Sequence, residues 1–135
     1  MQNLFVQENE EFSIGFTVAT DEKGTIYCDL NRKSMEESLK GVENMEIQDY
    51  KAVFKRPSFG GTTELYEKIF SVGADGFNFN PILIRQKTII ALIKSWNLKG
   101  KEEKPTEEEI KSLHPIVATV ISIQLEAEVG YLNTQ

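Results

Sequence analysis

Apolar and polar residues alternate from Phe12 to Ala19: Phe12, Ile14, Phe16 and Val18 fall on every second position, against Ser13, Gly15 and Thr17. A period of two sends one set of side chains to one face, so this stretch predicts a half-buried strand. Asp21-Glu22-Lys23-Gly24 then supplies a turn, with glycine where a left-handed residue is wanted. Ile26, Cys28 and Leu30 share one face of a second strand, which completes a hairpin, and Leu4 to Val6 is a candidate for an earlier strand. Alternation returns from Ile47 to Phe54, with Tyr50, Ala52 and Phe54 set against Lys51, Val53 and Lys55. Pro57 stops that strand because it has no N–H to give to a ladder.

Elsewhere the period lengthens to 3.6. Ser34-Met35-Glu36-Glu37 reads as a capping box opening a short helix that Gly41 closes, with Met35 and Leu39 as its apolar ridge. Thr62 or Thr63 is placed to cap a helix running to about Phe70, in which Leu65/Ile69 and Tyr66/Phe70 are apolar pairs four apart and Glu64 can meet Lys68. Gly73-Ala74-Asp75-Gly76 reads as a turn, and Asn80-Pro81 as an N-cap followed by a first helical residue. Phe79 and Ile84 have the spacing of a hydrophobic staple. The helix from Pro81 is expected to reach Trp96. Ile82, Leu83, Ile89, Ile90, Leu92, Ile93 and Trp96 share a broad face, with Lys87, Thr88, Lys94 and Ser95 opposite. Arg85 and Gln86 fall inside the apolar arc, where they sit at its rim or find polar partners.

A charged, glycine-containing loop leads to Pro105-Thr106-Glu107-Glu108-Glu109. Thr106 suits an N-cap with Glu109 completing a capping box, and Glu107 and Glu108 suit the positive end of the helix dipole. That helix is short, because Pro115 biases His114 away from helical geometry and is itself well placed to begin the next helix. The last segment, Ile116 to Leu132, fits two periods. As a helix it is apolar nearly all round apart from a stripe of Thr119, Ser122 and Glu126; as a strand, Ile121, Ile123, Leu125, Ala127, Val129 and Tyr131 alternate. About 17 residues is ordinary for a helix and long for a strand, so helix is preferred.

The change of period near Pro57 predicts an α+β fold in one domain over residues 1–135. A small antiparallel sheet from residues 1–56 packs on a bundle of three to four helices from residues 57–135.

The net charge of −6 and the pI near 4.9 give no basic footprint for general nucleic-acid binding. The one cysteine, Cys28, cannot close an internal disulfide and matches a reducing compartment. With a single histidine, His114, a zinc site of the usual ligand types is not expected, and neither is any cofactor. The N-terminus lacks the basic start and apolar run of a signal peptide, and no apolar run reaches the ~20 residues a membrane span needs. A cytoplasmic protein that does not bind membranes is expected. Glu107, Glu108 and Glu109 are adjacent in one exposed first turn, whereas acid–base catalysis needs carboxylates in differing environments. Gly60-Gly61-Thr62-Thr63 lacks phosphate-loop spacing. No catalytic constellation emerges, and an enzyme is not expected.

Lys55-Arg56-Pro57-Ser58-Phe59-Gly60 is followed in order by Trp96-Asn97-Leu98, Pro105-Thr106-Glu107-Glu108, Ile110 and Leu113-His114-Pro115. This order resembles the tail assembly chaperones of long-tailed bacteriophages. There, an extended Arg-Pro-Thr-Phe-Gly-like segment precedes an apolar helix ending in Trp-Asn, a glycine-bearing loop, and Pro-Thr-Glu-Glu before a helical C-terminus. The resemblance spans residues 50–132 and leaves out the N-terminal hairpin and the phenylalanine-rich loop. It implies a non-enzymatic protein of the host cytoplasm that coats the helical tape-measure protein and helps bring tube subunits to it. It carries no catalytic residues over. The partner-binding residues expected on this view are Phe77, Phe79, Ile82 and Trp96, at the mouth of the exposed side of the helix pair 81–96 and 116–132. The competing reading of the aromatics is that they close the core. The competing function is a structural virion or tail-adaptor protein forming part of a ring or tube. Self-association into a homo-oligomer is left open.

Overall fold

In a computed structural model that describes residues 3–69 and 80–129, the alternating run forms strand β1, Glu11–Thr20. The Asp21 carboxylate accepts from the N–H groups of Lys23 and Thr25, and Gly24 takes φ +82° to close the turn into β2, Ile26–Asp29. On its other side β1 pairs antiparallel with β3, Glu46–Lys55, from Glu11↔Lys55 to Thr20↔Glu46. A fourth strand, β4, Ile93–Trp96, pairs with the far edge of β3, with an irregularity between Val53 and Phe54. The sheet order is β2-β1-β3-β4, antiparallel throughout.

Strand alternation decides what each face does. Ile14 and Phe16 of β1, with Ala52 and Phe54 of β3, join Ile93 and Trp96 of β4 in the core. That face is covered by α2, Phe59–Ile69; α3, Pro81–Leu92; α4, Glu107–Lys111; and α5, Pro115–Val129. They contribute Leu65 and Ile69, Ile84, Ile89 and Leu92, Ile110, and Val117, Ile121 and Leu125. On the opposite face the Thr17 hydroxyl donates to Asp49 (2.7 Å), and Asp49 accepts from Arg32 of α1, Arg32–Ser38 (2.8 Å). Helix α1 buries Met35 and packs on β1 and β2.

The α+β fold is therefore the one expected, with four helices after Pro57 among the described residues. Several local expectations are corrected. The helix expected to run to Trp96 ends at Leu92, and Ile93 is extended (φ −65°, ψ 132°). The 57–135 part is thus not purely helical, since it donates β4 to the sheet. Extended geometry is favoured there because β3 offers an open edge and both Ile93 and Trp96 still reach the core. Thr88 faces inward at 2% exposure, its hydroxyl donating to the Ile84 carbonyl at 2.7 Å, while Ile82 and Leu83 face out. Ser122, placed on the polar stripe of the last helix, is buried.

The caps of α1 and α2 also differ. Asn31 caps α1, accepting from the Lys33 and Ser34 N–H groups, so Ser34 lies inside that helix. Ser58 accepts from the Gly61 N–H, and α2 starts at Phe59 with Thr62 and Thr63 inside it. Leu4 to Val6 forms no strand, and Leu30 lies past the end of β2. Asn80 and Pro81 open α3 as expected, and the last segment is the preferred helix as far as Val129. The Gly73–Gly76 turn, the Tyr66/Phe70 pair and the Phe79/Ile84 staple involve positions outside the described residues.

Candidate partner-docking surface

After Trp96 the chain is folded tightly back. Trp96 and Glu103 exchange both backbone bonds at 2.9 Å, and Lys51 N–H donates to the Asn97 side chain (2.9 Å). Gly100, at φ +90°, permits the reversal between them. The capping box forms as the sequence predicts: Thr106 Oγ1 accepts from the Glu109 N–H (3.2 Å), and Glu109 Oε1 from the Thr106 N–H (3.1 Å). Lys99 bonds the same Glu109 carboxylate, and this contact first, with the Thr106 N–H second, holds that carboxyl below its ordinary value. His114 caps the next helix, its Nδ1 accepting from the Ile116 N–H (3.3 Å). These contacts fix the loop after β4 and the starts of α4 and α5.

Between the three helices lies a cleft of about 240 Å³, lined on its apolar side by Ile82, Ile89, Ile110, Leu113 and Ala118. Arg85 and Glu126 bridge α3 and α5 along it at 3.4 Å, which supplies the polar partner Arg85 needs within the apolar arc. Ile82, 68% exposed, and Leu83, 41% exposed, stand at the start of α3. A second apolar surface runs along the outer side of α5. Ile116 and Ile123, 43% and 53% exposed, are continued by half-buried Val120 and exposed Ala127. Their spacing of four, three and four is that of a seam on which another helix can lie.

Of the four residues expected to bind a partner, Ile82 is exposed on α3 and lines the cleft. Trp96 is not: it is 3% exposed, because its position on β4 turns the ring under the helices. The expectation that it stands at the mouth of the surface is corrected. Phe77 and Phe79 lie outside the described residues. Ile116 and Ile123, exposed on α5, were not among the residues expected to bind a partner. Their heptad spacing was visible, but a helix apolar nearly all round does not say which side faces out.

The remaining candidate chemistry is accounted for locally. Burial, and secondarily the charge of Asp29, pushes the Cys28 thiol up to about 11, so it is a poor nucleophile near neutral pH. Among the described residues no cluster of His, Cys, Asp or Glu could hold a metal ion, and no helix is long and apolar enough to cross a membrane. Gly60 to Thr63 lie within α2 and form no loop. Comparison with protein-family models, with curated proteins and with solved structures finds no match to this chain.

Proposed function

We propose that this protein is a non-enzymatic tail assembly chaperone of long-tailed bacteriophages that holds an apolar helical segment, such as one from a tape-measure protein. The observation that carries the proposal is the apolar row on α5, in which exposed Ile116, Ile123 and Ala127 are joined by half-buried Val120; Ile82, exposed at the cleft, adds a separate apolar contact point. Isolated exposed apolar side chains are ordinary, whereas a row at helical spacing is what a helix needs in order to dock. The ordered resemblance over residues 50–132 supplies the identity of the partner. The host cytoplasm, where tails are built, is the corresponding location.

The test combines two measurements. The protein should co-purify with the tape-measure protein from infected cells, Ile123→Glu should abolish this without unfolding the chain, and purified mature particles should lack the protein. Presence in particles in stoichiometric amount contradicts the chaperone reading and supports a virion or tail-adaptor component instead.

A further inference from the structure

β1 is paired along its whole length with β3, but β2 covers its other side only from Thr17 to Thr20. The bond from the Arg56 N–H to the Glu10 carbonyl (2.9 Å) fixes the alternation on the β3 side. Even positions Phe12, Ile14 and Phe16 exchange bonds with β3. Odd positions Glu11, Ser13 and Gly15 therefore turn both N–H and C=O to the outer side. Among the described residues nothing bonds those outward groups, and all three residues are exposed. Sheet edges are usually blunted by lysine, proline or a bulge. From Glu11 to Phe16 none of these is present, and Glu11 is the one charge.

We propose that this edge pairs antiparallel with the same edge of a second copy, joining two four-stranded sheets into one across a two-fold axis. The sequence of the edge is self-complementary for this arrangement. With the axis at Ser13, Ser13 faces its own counterpart and Glu11 faces Gly15. This is the register in which all three outward residues pair at once, since a shift of two in either direction leaves Glu11 or Gly15 without an outward-facing counterpart. No carboxylate meets a carboxylate, because each Glu11 stands opposite a residue with no side chain, and like charges directly opposite are destabilising. On the core face half-buried Phe12 stands in register with Ile14 of the other copy, which is already covered within its own chain. The contact is isologous and closed, giving a dimer rather than a filament. It uses a different surface from the chaperone reading and does not depend on it.

The experiment is sedimentation of the full chain over a concentration series, with amide exchange read residue by residue. A dimer is expected, and with rising concentration exchange should slow at Ser13 and Gly15 but not at Phe12 and Ile14, which already bond β3. Ser13→Pro removes only outward donors and should give a folded monomer. Ser13→Lys and Ser13→Glu should each weaken the dimer by about fivefold through like charges at the axis, and mixing the two should restore it. This pair decides the matter even where the proline variant fails to fold. A monomer at submillimolar concentration overturns the proposal, as does a dimer that none of these substitutions affects. Protection of Ser13 that does not vary with concentration also overturns it, since the edge is then covered from within one chain.

Discussion

Arg56, just past the end of β3, reaches Glu128 in the last turn of α5 twice: Nη2 donates to its carboxylate at 3.0 Å and Nη1 to its backbone carbonyl at 3.3 Å. The same guanidinium bonds Glu10 (3.1 Å) and lies 4.6 Å above the ring centre of Phe12. One side chain thus ties the start of β1, the end of β3 and the end of α5. Three acceptors and a ring face suit a planar fork and not a single ammonium. Arg56→Ala should destabilise the protein by about 1–2 kcal/mol, the contacts being partly solvent-screened, and Arg56→Lys should recover less than half of that. Chemical denaturation of the three proteins checks this; full recovery by lysine would show that only the charge matters.

Trp96 and Ile82 were both expected to touch a partner, and they sit in opposite environments. Trp96→Ala should cost roughly 3–5 kcal/mol, as for a large ring removed from a packed core. Ile82→Ala, at a position 68% exposed, should change stability by less than about 0.5 kcal/mol. Thermal unfolding of both variants measures the contrast, and a mild Trp96→Ala would mean that the ring is not packed as described.

How legible the fold was depended on whether local pattern or distant pairing decided each element. The β1–β2 hairpin, β3, the Asn80-Pro81 start and the Thr106/Glu109 box were readable because each is fixed within a few residues. β4 was not: Ile89, Leu92, Ile93 and Trp96 have helical spacing, and the switch to strand at Ile93 was made by the edge of β3, some 40 positions away in the sequence. Thr88 misled through its hydroxyl, which the Ile84 carbonyl satisfies in the interior. Of the candidate contact residues among the described ones, Ile82 is exposed and Trp96 is buried. Ile116 and Ile123 have the right spacing, but only the packing of Val117, Ile121 and Leu125 on the sheet shows which side of α5 is left outward.

The caps and their neighbours carry a prediction about acid. Thr106→Ala should cost on the order of 1 kcal/mol through loss of the cap. The Asp49 carboxyl is held below its ordinary value of 3.8, first by the Thr17 hydroxyl and then by Arg32, and that of Glu109 below 4.5, first by Lys99. Groups lowered in this way add stability above those ordinary values, and the contribution is lost as pH falls below them toward the lowered folded values. Stability should therefore fall from about pH 4 downward. Asp49→Asn should flatten that limb while leaving the neutral-pH fold intact. An unchanged acid limb in Asp49→Asn would contradict the role given to the Thr17–Asp49–Arg32 contacts.

Cys28 should react slowly with thiol reagents at neutral pH. A half-buried thiol pushed up to about 11 is almost wholly protonated there. Labelling of the native chain should be many times slower than that of the urea-unfolded chain. Equal rates would show the thiol to be open to solvent.

The reading of this protein as a holder of apolar helices is tested most directly by co-expression with a tape-measure segment that precipitates when made alone. The wild-type chain should keep the segment in the soluble fraction and elute with it. Ile116→Glu together with Ile123→Glu, on the outer side of α5, should return it to the pellet while the variant itself stays folded. A segment that remains insoluble beside the wild-type chain, or stays soluble beside the double variant, would contradict the proposal.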